Sequence, residues 1–263
     1  RLSITSAAWQ GRPEVIESLL LHLSAIRRAR RLIYLENQYL TSPIIVEALA
    51  ERLAEPDGPE VVTIGPARSP SYFDQMTMDS ARTAAINRLR EVDVHKRFSA
   101  FSAHTPKGGP IIVHSKVAIM DDWMLRIGSA NLNNRSIGLD SECDLAFEAK
   151  SDIERETVRA FLGRLVGHFI DRDTETVLET MEREGGLGAA INALDVKGGP
   201  PRRLQPVPTR KLTGVQKFIA DWSLGDAIAP DDAWRPWGRR KRLKRDIARL
   251  TEPPPLPPGH LQP

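Results

Sequence analysis

One short window of the chain, HSKVAIMDDWMLRIGSAN, contains His114, Lys116, Asp121, Gly128, Ser129 and Asn131. An imidazole titrates near neutral pH and can serve as nucleophile or as general acid and base. An ammonium two residues along can hold the non-bridging oxygens of a phosphate and offset charge that develops in a transition state. Serine and asparagine add neutral donors to the same oxygens. Phosphoryl transfer needs that combination. Six specified residue types at five fixed spacings arise by accident in about one of a million sequences of this length.

Taken singly, each residue has an ordinary explanation, since a lone strand histidine is commonly a satisfied core residue and Gly-Ser with Asn commonly marks a turn. Their coincidence points to function. Asp121 lies seven residues from His114 beside a turn, and short acids at turns bond backbone groups, so a structural ion pair or backbone cap is expected of it.

The elements that must position these groups follow from periodicity. The segment from Ile111 to Ile119 and that from Met124 to Ile127 read as two strands joined by a tight turn at Asp121 and Asp122. In such a strand His114, Lys116 and Ala118 share one face. Upstream, Pro13 opens a helical pattern carrying Val15, Leu19, Leu23 and Ile26, with Glu14 and Glu17 in its first turn and arginines in its last. Leu32 to Leu35 reads as a buried strand. Ser42 and Pro43 form a cap and first-turn pair for a helix to about Ala54. Val61 to Ile64 is a further strand, and residues 74 to 90 a further helix. Leu145 to Phe147 adds a strand, and Ile153 to Phe169 a helix. This alternation predicts an α/β fold, a layered α/β/α sandwich over residues 1–170. Residues 171–208 then read as a short helix near Val177 to Met181, a Gly-rich break and the linker KGGPPRRLQPVP, and 209–263 as a basic extension with a proline-rich tail.

A chain of 263 residues with 41% apolar and 27% charged residues is ample for a substantial core. It lacks the roughly 18 uninterrupted apolar residues of a membrane-spanning helix, so any membrane contact is expected to be peripheral. Localisation is read as cytoplasmic or at the membrane surface. Cys143 is the single cysteine, which excludes an internal disulfide; beside Glu142 it reads as a small strand residue. Between Arg235 and Arg249 eight basic residues stand against Asp246, in a chain of net charge +3, so the remainder is net acidic. A nuclease would carry a cationic stripe near its site, and nucleic acid is therefore disfavoured as substrate. Trp234 and Trp237 beside the tail's cations fit either an anchor for anionic lipid or a solvated basic face. The loop holding His104, Thr105, Lys107 and Gly108-Gly109 is a solvated turn or a headgroup contact. The remaining histidines, His22, His95, His168 and His260, are read as structural or surface residues.

With His, one residue, Lys, four residues, Asp and then Gly-Ser six residues on, the window resembles the HKD motif of the phospholipase D superfamily. Asn131 follows at the family's spacing, and Glu142, 28 residues after His114 in DSECDLAF, falls where the family has a downstream acid. YLENQYL from Tyr34 to Leu40 is similar to the signature between the two HKD motifs of phospholipase D proper. The resemblance implies that His114 is one of two active-site histidines, one attacking phosphorus and the other serving the leaving alcohol, with His114 in the acid/base role. Lys116, Ser129 and Asn131 then bind phosphate, Glu142 orients the imidazole, and Glu36, Asn37 and Gln38 line the site. No metal and no cofactor is called for.

Only one HKD motif is present. The resemblance implies a partner, either an N-terminal HKD half of the same longer chain or a second copy. YLENQYL and the start at Arg1 favour the former, so the isolated chain is expected to be inactive unless it dimerises. The leading expectation is hydrolysis of glycerophospholipids at a membrane surface to phosphatidic acid and a headgroup alcohol, with transphosphatidylation as an extension. A cardiolipin synthase-like phosphatidyltransferase, a phosphodiester nuclease and a degenerate lipid-binding module are the alternatives.

Overall fold

The computed structural model describes residues 1–8, 10–197 and 203–227, together with Ile247. In chain order the elements are β1 (Leu2–Ser6), β2 (Val15–Ile16), α1 (Glu17–Arg28), β3 (Leu32–Asn37), α2 (Pro43–Ala54), β4 (Glu60–Gly65), α3 (Tyr72–Val92), β5 (Phe98–Ala103), β6 (Lys116–Met120), β7 (Met124–Gly128), α4 (Asn134–Gly138), β8 (Glu142–Glu148), α5 (Asp152–Ile170), α6 (Thr174–Glu184), α7 (Leu187–Lys197), β9 (Leu204–Pro206) and α8 (Gly214–Asp221). The strands form one sheet in the order β2-β1-β8-β7-β6-β3-β4-β5-β9. Strands β3, β4 and β5 run parallel, while β6 lies antiparallel against β3.

Helices cover both faces, as expected of an α/β/α sandwich. Ile33, Leu35, Ala118 and Met120 point to one layer, where they meet Leu23 and Ile26 of α1, Ile45 and Leu49 of α2 and Leu89 of α3. Their strand neighbours Tyr34, Val117 and Ile119 point the other way and meet Val158, Leu162 and Val166 of α5, Val177 of α6 and Ile191 of α7. All six residues of β3 are buried; the first four are apolar or aromatic, as a central strand with helices on both faces requires, and the polar Glu36 and Asn37 come at its end. Local chemistry sets the helix ends. Ser71 accepts from the Asp74 N–H at the start of α3, and Ser151 with Glu154 forms a capping box on α5. Pro43 sits at the first turn of α2, but Ser42 makes no side-chain cap bond there.

The structure differs from the sequence reading at several elements. The first helix begins at Glu17, since Val15 and Ile16 pair with β1 instead. The strand expected from Ile111 starts only at Lys116; its partner Asn37 is the last residue of β3, and upstream Ile111 donates instead to the Ala103 carbonyl at the end of β5 at 2.9 Å. His114 therefore sits in the segment leading into β6. The segment 197–208, read as a linker, contains β9, which closes the edge of β5. Helix α7 follows the Gly-rich break: Gly185 ends α6 in the left-handed region, and Glu60 accepts from the Leu187 and Gly188 N–H groups. Residues of α6, α7 and β9 belong to the same core as Tyr34 and Val117, so the packed body continues past residue 170. The basic stretch, apart from Ile247, and the proline-rich tail lie outside the described residues.

Candidate active site

Because β6 runs antiparallel to β3 with Lys116 opposite Asn37, the entry to β6 meets the exit of β3. The sheet thereby brings residues 114–116 against residues 36–38. The Lys116 ammonium, in a residue only 7% exposed, donates to the His114 carbonyl at 2.7 Å and to Gln38 Oε1 at 3.5 Å. Burial pulls its pKa below the ordinary lysine value; Glu142 opposes that shift and Arg126 adds to it. The Ser115 hydroxyl donates to Glu36, whose other oxygen accepts from the Tyr34 hydroxyl at 2.9 Å. Burial, then the adjacent Glu36 charge, raises the Tyr34 pKa, which keeps that phenol a donor.

The other side of the site comes from the ends of β7 and β8. Ser129 donates its hydroxyl to Glu142, accepts from the Cys143 N–H at 3.0 Å, and donates its own N–H to the Cys143 carbonyl at 3.1 Å. Glu142, expected to orient the imidazole, holds Ser129 instead and presents its charge toward Lys116. The His114 side chain is exposed and has no hydrogen bond or ion pair among the described residues. Asn131 Oδ1 is buried without a partner. Asn37, expected to line the site, works as a clamp: its Oδ1 accepts from the Tyr39 N–H at 3.0 Å and the Leu132 N–H at 3.3 Å, tying the motif loop to the end of β3.

Asp121 lies at the far end of β6. Its carboxylate accepts from the backbone N–H groups of Arg30, Arg31 and Leu32 at 2.7–2.9 Å, fixing the entry to β3. His104 bonds the Ser102 carbonyl through Nδ1 in a hairpin loop preceding the motif.

Two features of the site were not singled out from sequence. Arg126 is 1% exposed beneath the motif loop, paired with Asp144, and donates to the carbonyls of Lys116 at 3.2 Å and Ala130 at 2.9 Å. Met124 and Arg126 alternate on the inward face of β7, so an arginine at a core-facing position was the available signal. Gly128 is needed because Asp144 lies where a Cβ would project. The second feature is Asp226, beyond α8. It accepts from the Asn134 and Arg135 N–H groups at 3.0 Å and from the Thr41 hydroxyl at 3.0 Å, holding the turn that follows the motif. Among the described residues no three His, Cys, Asp or Glu side chains converge as metal ligands. Among the same residues no helix is long and apolar enough to cross a membrane.

An α/β/α domain with a His-x-Lys entry to a central strand, facing Ser and Glu from the next two strands, is the architecture of a phospholipase D-type domain. Residues 22–163 match the family described as "Cardiolipin synthase, PLD-like domain", more than half of the chain, which therefore belongs to this family of the phospholipase D superfamily. Among solved structures, the chain is similar to Nuc, a phospholipase D family member from Salmonella typhimurium, with 20% identity and TM-score 0.43, covering 63% of this chain and 95% of that one. NucT from Helicobacter pylori follows at 18% and 0.43, covering 62% and 92%. Phosphatidylserine synthase of Haemophilus influenzae Rd KW20 gives 15% and 0.45, covering 61% of this chain; the present chain spans only 38% of that protein. No curated protein matches the sequence.

Proposed function

We propose that the chain supplies one HKD half of a phosphodiesterase of the phospholipase D type acting on glycerophospholipids. The carrying observation is the exposed, unbonded imidazole of His114 beside a buried Lys116 ammonium whose carboxylate neighbour Glu142 is occupied by Ser129. Lys116 and Ser129 bind the non-bridging oxygens, and the imidazole is free to meet the reacting groups.

In the reaction, a histidine of the paired half forms an N–P bond as the bond from phosphorus to the headgroup oxygen breaks. His114 gives its proton to that oxygen. An entering water or alcohol then returns a proton to His114 as its oxygen attacks phosphorus and the N–P bond breaks. Water yields phosphatidic acid, whereas an alcohol yields a new phosphodiester. The family's description names cardiolipin synthase, which favours transfer to a lipid hydroxyl as the second reading.

The pairing is supported by an uncovered apolar face beside the site. Leu2, Ile4, Ile127, Leu145 and Phe147 are 41–65% exposed, and Ile127, Leu145 and Leu2 stand in one cross-strand row. It takes a second HKD half, from a longer chain or another copy.

The test is headgroup release and lipid transfer from phosphatidylglycerol vesicles, with plasmid DNA as a parallel substrate, for the chain joined to or mixed with its second half. His114→Ala is expected to lower turnover by at least about a thousandfold, in keeping with loss of an acid/base group. Because His114 is exposed, the variant keeps the parent's melting temperature. Cleavage confined to DNA, or an unaffected His114→Ala rate, overturns the reading.

A further inference from the structure

A second cavity, of about 250 Å³, opens at the carboxyl ends of β4 and β5. Arg68, Arg82, His104 and Arg210 line it, with Asp79 the acid among them. Asp79 is already engaged: it accepts from Ser69 through both the N–H and the hydroxyl and pairs with one edge of Arg82 at 3.1 Å. Arg82, whose side chain is 14% exposed, also donates from Nη2 to the Ala67 carbonyl at 3.4 Å, yet its Nη1 is buried without a partner. Burial pulls the Arg82 pKa down, and the charge of Arg210 pulls it further, against Asp79. Asn87 also lines the cavity; its Nδ2 donates to the Arg210 carbonyl at 2.8 Å and its Oδ1 is buried without a partner.

Buried polar groups in folded proteins are nearly always bonded, and like charges are not gathered at a cavity without compensation. The free donor asks for an anionic oxygen, and the free acceptor asks for a hydroxyl. The volume exceeds what one phosphate needs, being room for about eight waters at about 30 Å³ each. The cavity also borders a small space that reaches Asn37, at the end of β3. A small adjoining space lined by Asn37, Gly65 and Pro66 shares Pro66, Arg82 and Ile86 with it. Gln38, which contacts Lys116, donates to the Tyr39 hydroxyl at 3.2 Å, and that hydroxyl lies in the field of Asp74, Asp79 and Arg82.

We propose that this cavity binds the phosphate of a small phosphorylated polyol, with Arg82, Arg68 and Arg210 on the phosphate and Asn87 Oδ1 on a hydroxyl. Its role as the seat of the entering or leaving alcohol rests on the phosphodiesterase reading above; the binding does not. The segment from Leu204 to Arg210 forms one wall and is strapped to α3, where Arg90 donates to the Val207 carbonyl and to Thr209 Oγ1.

Isothermal titration of the full chain with glycerol 3-phosphate, and separately with inorganic phosphate, tests the site. Glycerol 3-phosphate is expected to bind the more tightly. Arg82→Gln and Arg210→Gln are each expected to weaken it by at least about tenfold, the scale of a lost charge-assisted bond. Lys116→Met is expected to leave this binding in place. Arg210 is exposed and its side chain holds no hydrogen bond or ion pair among the described residues, so its variant reads the site even should Arg82→Gln misfold by circular dichroism. Absence of binding, equal affinity for inorganic phosphate, binding indifferent to Arg210→Gln, or loss in Lys116→Met overturns the assignment. Activity that depends on His114 while glycerol 3-phosphate fails to bind sinks this site and spares the catalytic reading.

Discussion

At the scale of single residues, burial sets how stability responds to pH. His22 of α1 is 1% exposed, donates from Nδ1 to the Ser18 carbonyl at 2.7 Å, and leaves Nε2 without a partner. Burial first, then the Arg126 charge, lowers its pKa to about 4, against opposing pulls from the Ser18 bond and Asp144. The unfolded chain, with an ordinary histidine, binds this proton at higher pH than the native chain does. Stability from His22 is therefore lost as pH falls from about 6.5 toward 4, by about 2 kcal/mol between pH 7 and pH 5. Urea unfolding at the two pH values should show that His22→Gln is spared this loss; an equal loss in variant and parent refutes the assignment. The residues of the HKD window were legible because the motif is contiguous, so type and spacing carried the chemistry. Arg126 and Asp144 were not, for their meaning comes from pairing across β7 and β8, and the bond from Ser129 to Glu142 is likewise a contact between strand ends that spacing does not show.

At the scale of elements, strong periodicity made α2, β4, α3 and α5 legible to within a few residues. Strand β5, FSAFSA, was missed because its phenylalanines recur every third residue among small ones, which lacks the period-two alternation of a strand. Strand β9 was missed because prolines mark a linker, although an edge strand tolerates them. Strand β6 was drawn too long, since its length is set by where β3 ends and not by its own composition. The C-terminal segment carries a consequence for the motif. Replacing Asp226 by Ala removes a carboxylate bonded to two backbone N–H groups and a hydroxyl. A cost of about 2–4 kcal/mol is expected, with faster amide exchange at Asn134 and Arg135. Unfolding curves and hydrogen exchange measure both, and unchanged exchange at these amides shows that the clamp is dispensable.

At the scale of the whole molecule, the sheet is covered unequally. Helices α5 to α7 shield the face of β6, β3, β4 and β5 and reach Leu125 of β7, but leave Ile127 of β7 and the same face of β8 and β1 exposed. Leu145 and Ile4 are exposed in the single chain, so Leu145→Glu and Ile4→Glu should leave its stability within about 0.5 kcal/mol of the parent. On pairing, the same substitutions bury a charge. Mixed with its second half, the parent should associate in sedimentation and turn over phosphodiester, whereas Leu145→Glu should lose association and turnover together. An active, monomeric Leu145→Glu chain would show that the face serves another purpose.

The bond from Asn134 to Asp226 joins residues 92 apart in sequence, and the open edge of β5 is closed by residues 204–206. A ribosome adds about 5–20 residues each second, so the motif loop emerges about 5–20 seconds before its clamp is made. During that interval the nascent chain has its HKD window but not its anchor, and a sheet border able to join a neighbour's. The motif loop is thus anchored only after it has been made, and the stretch read as a tether serves as the closing seam.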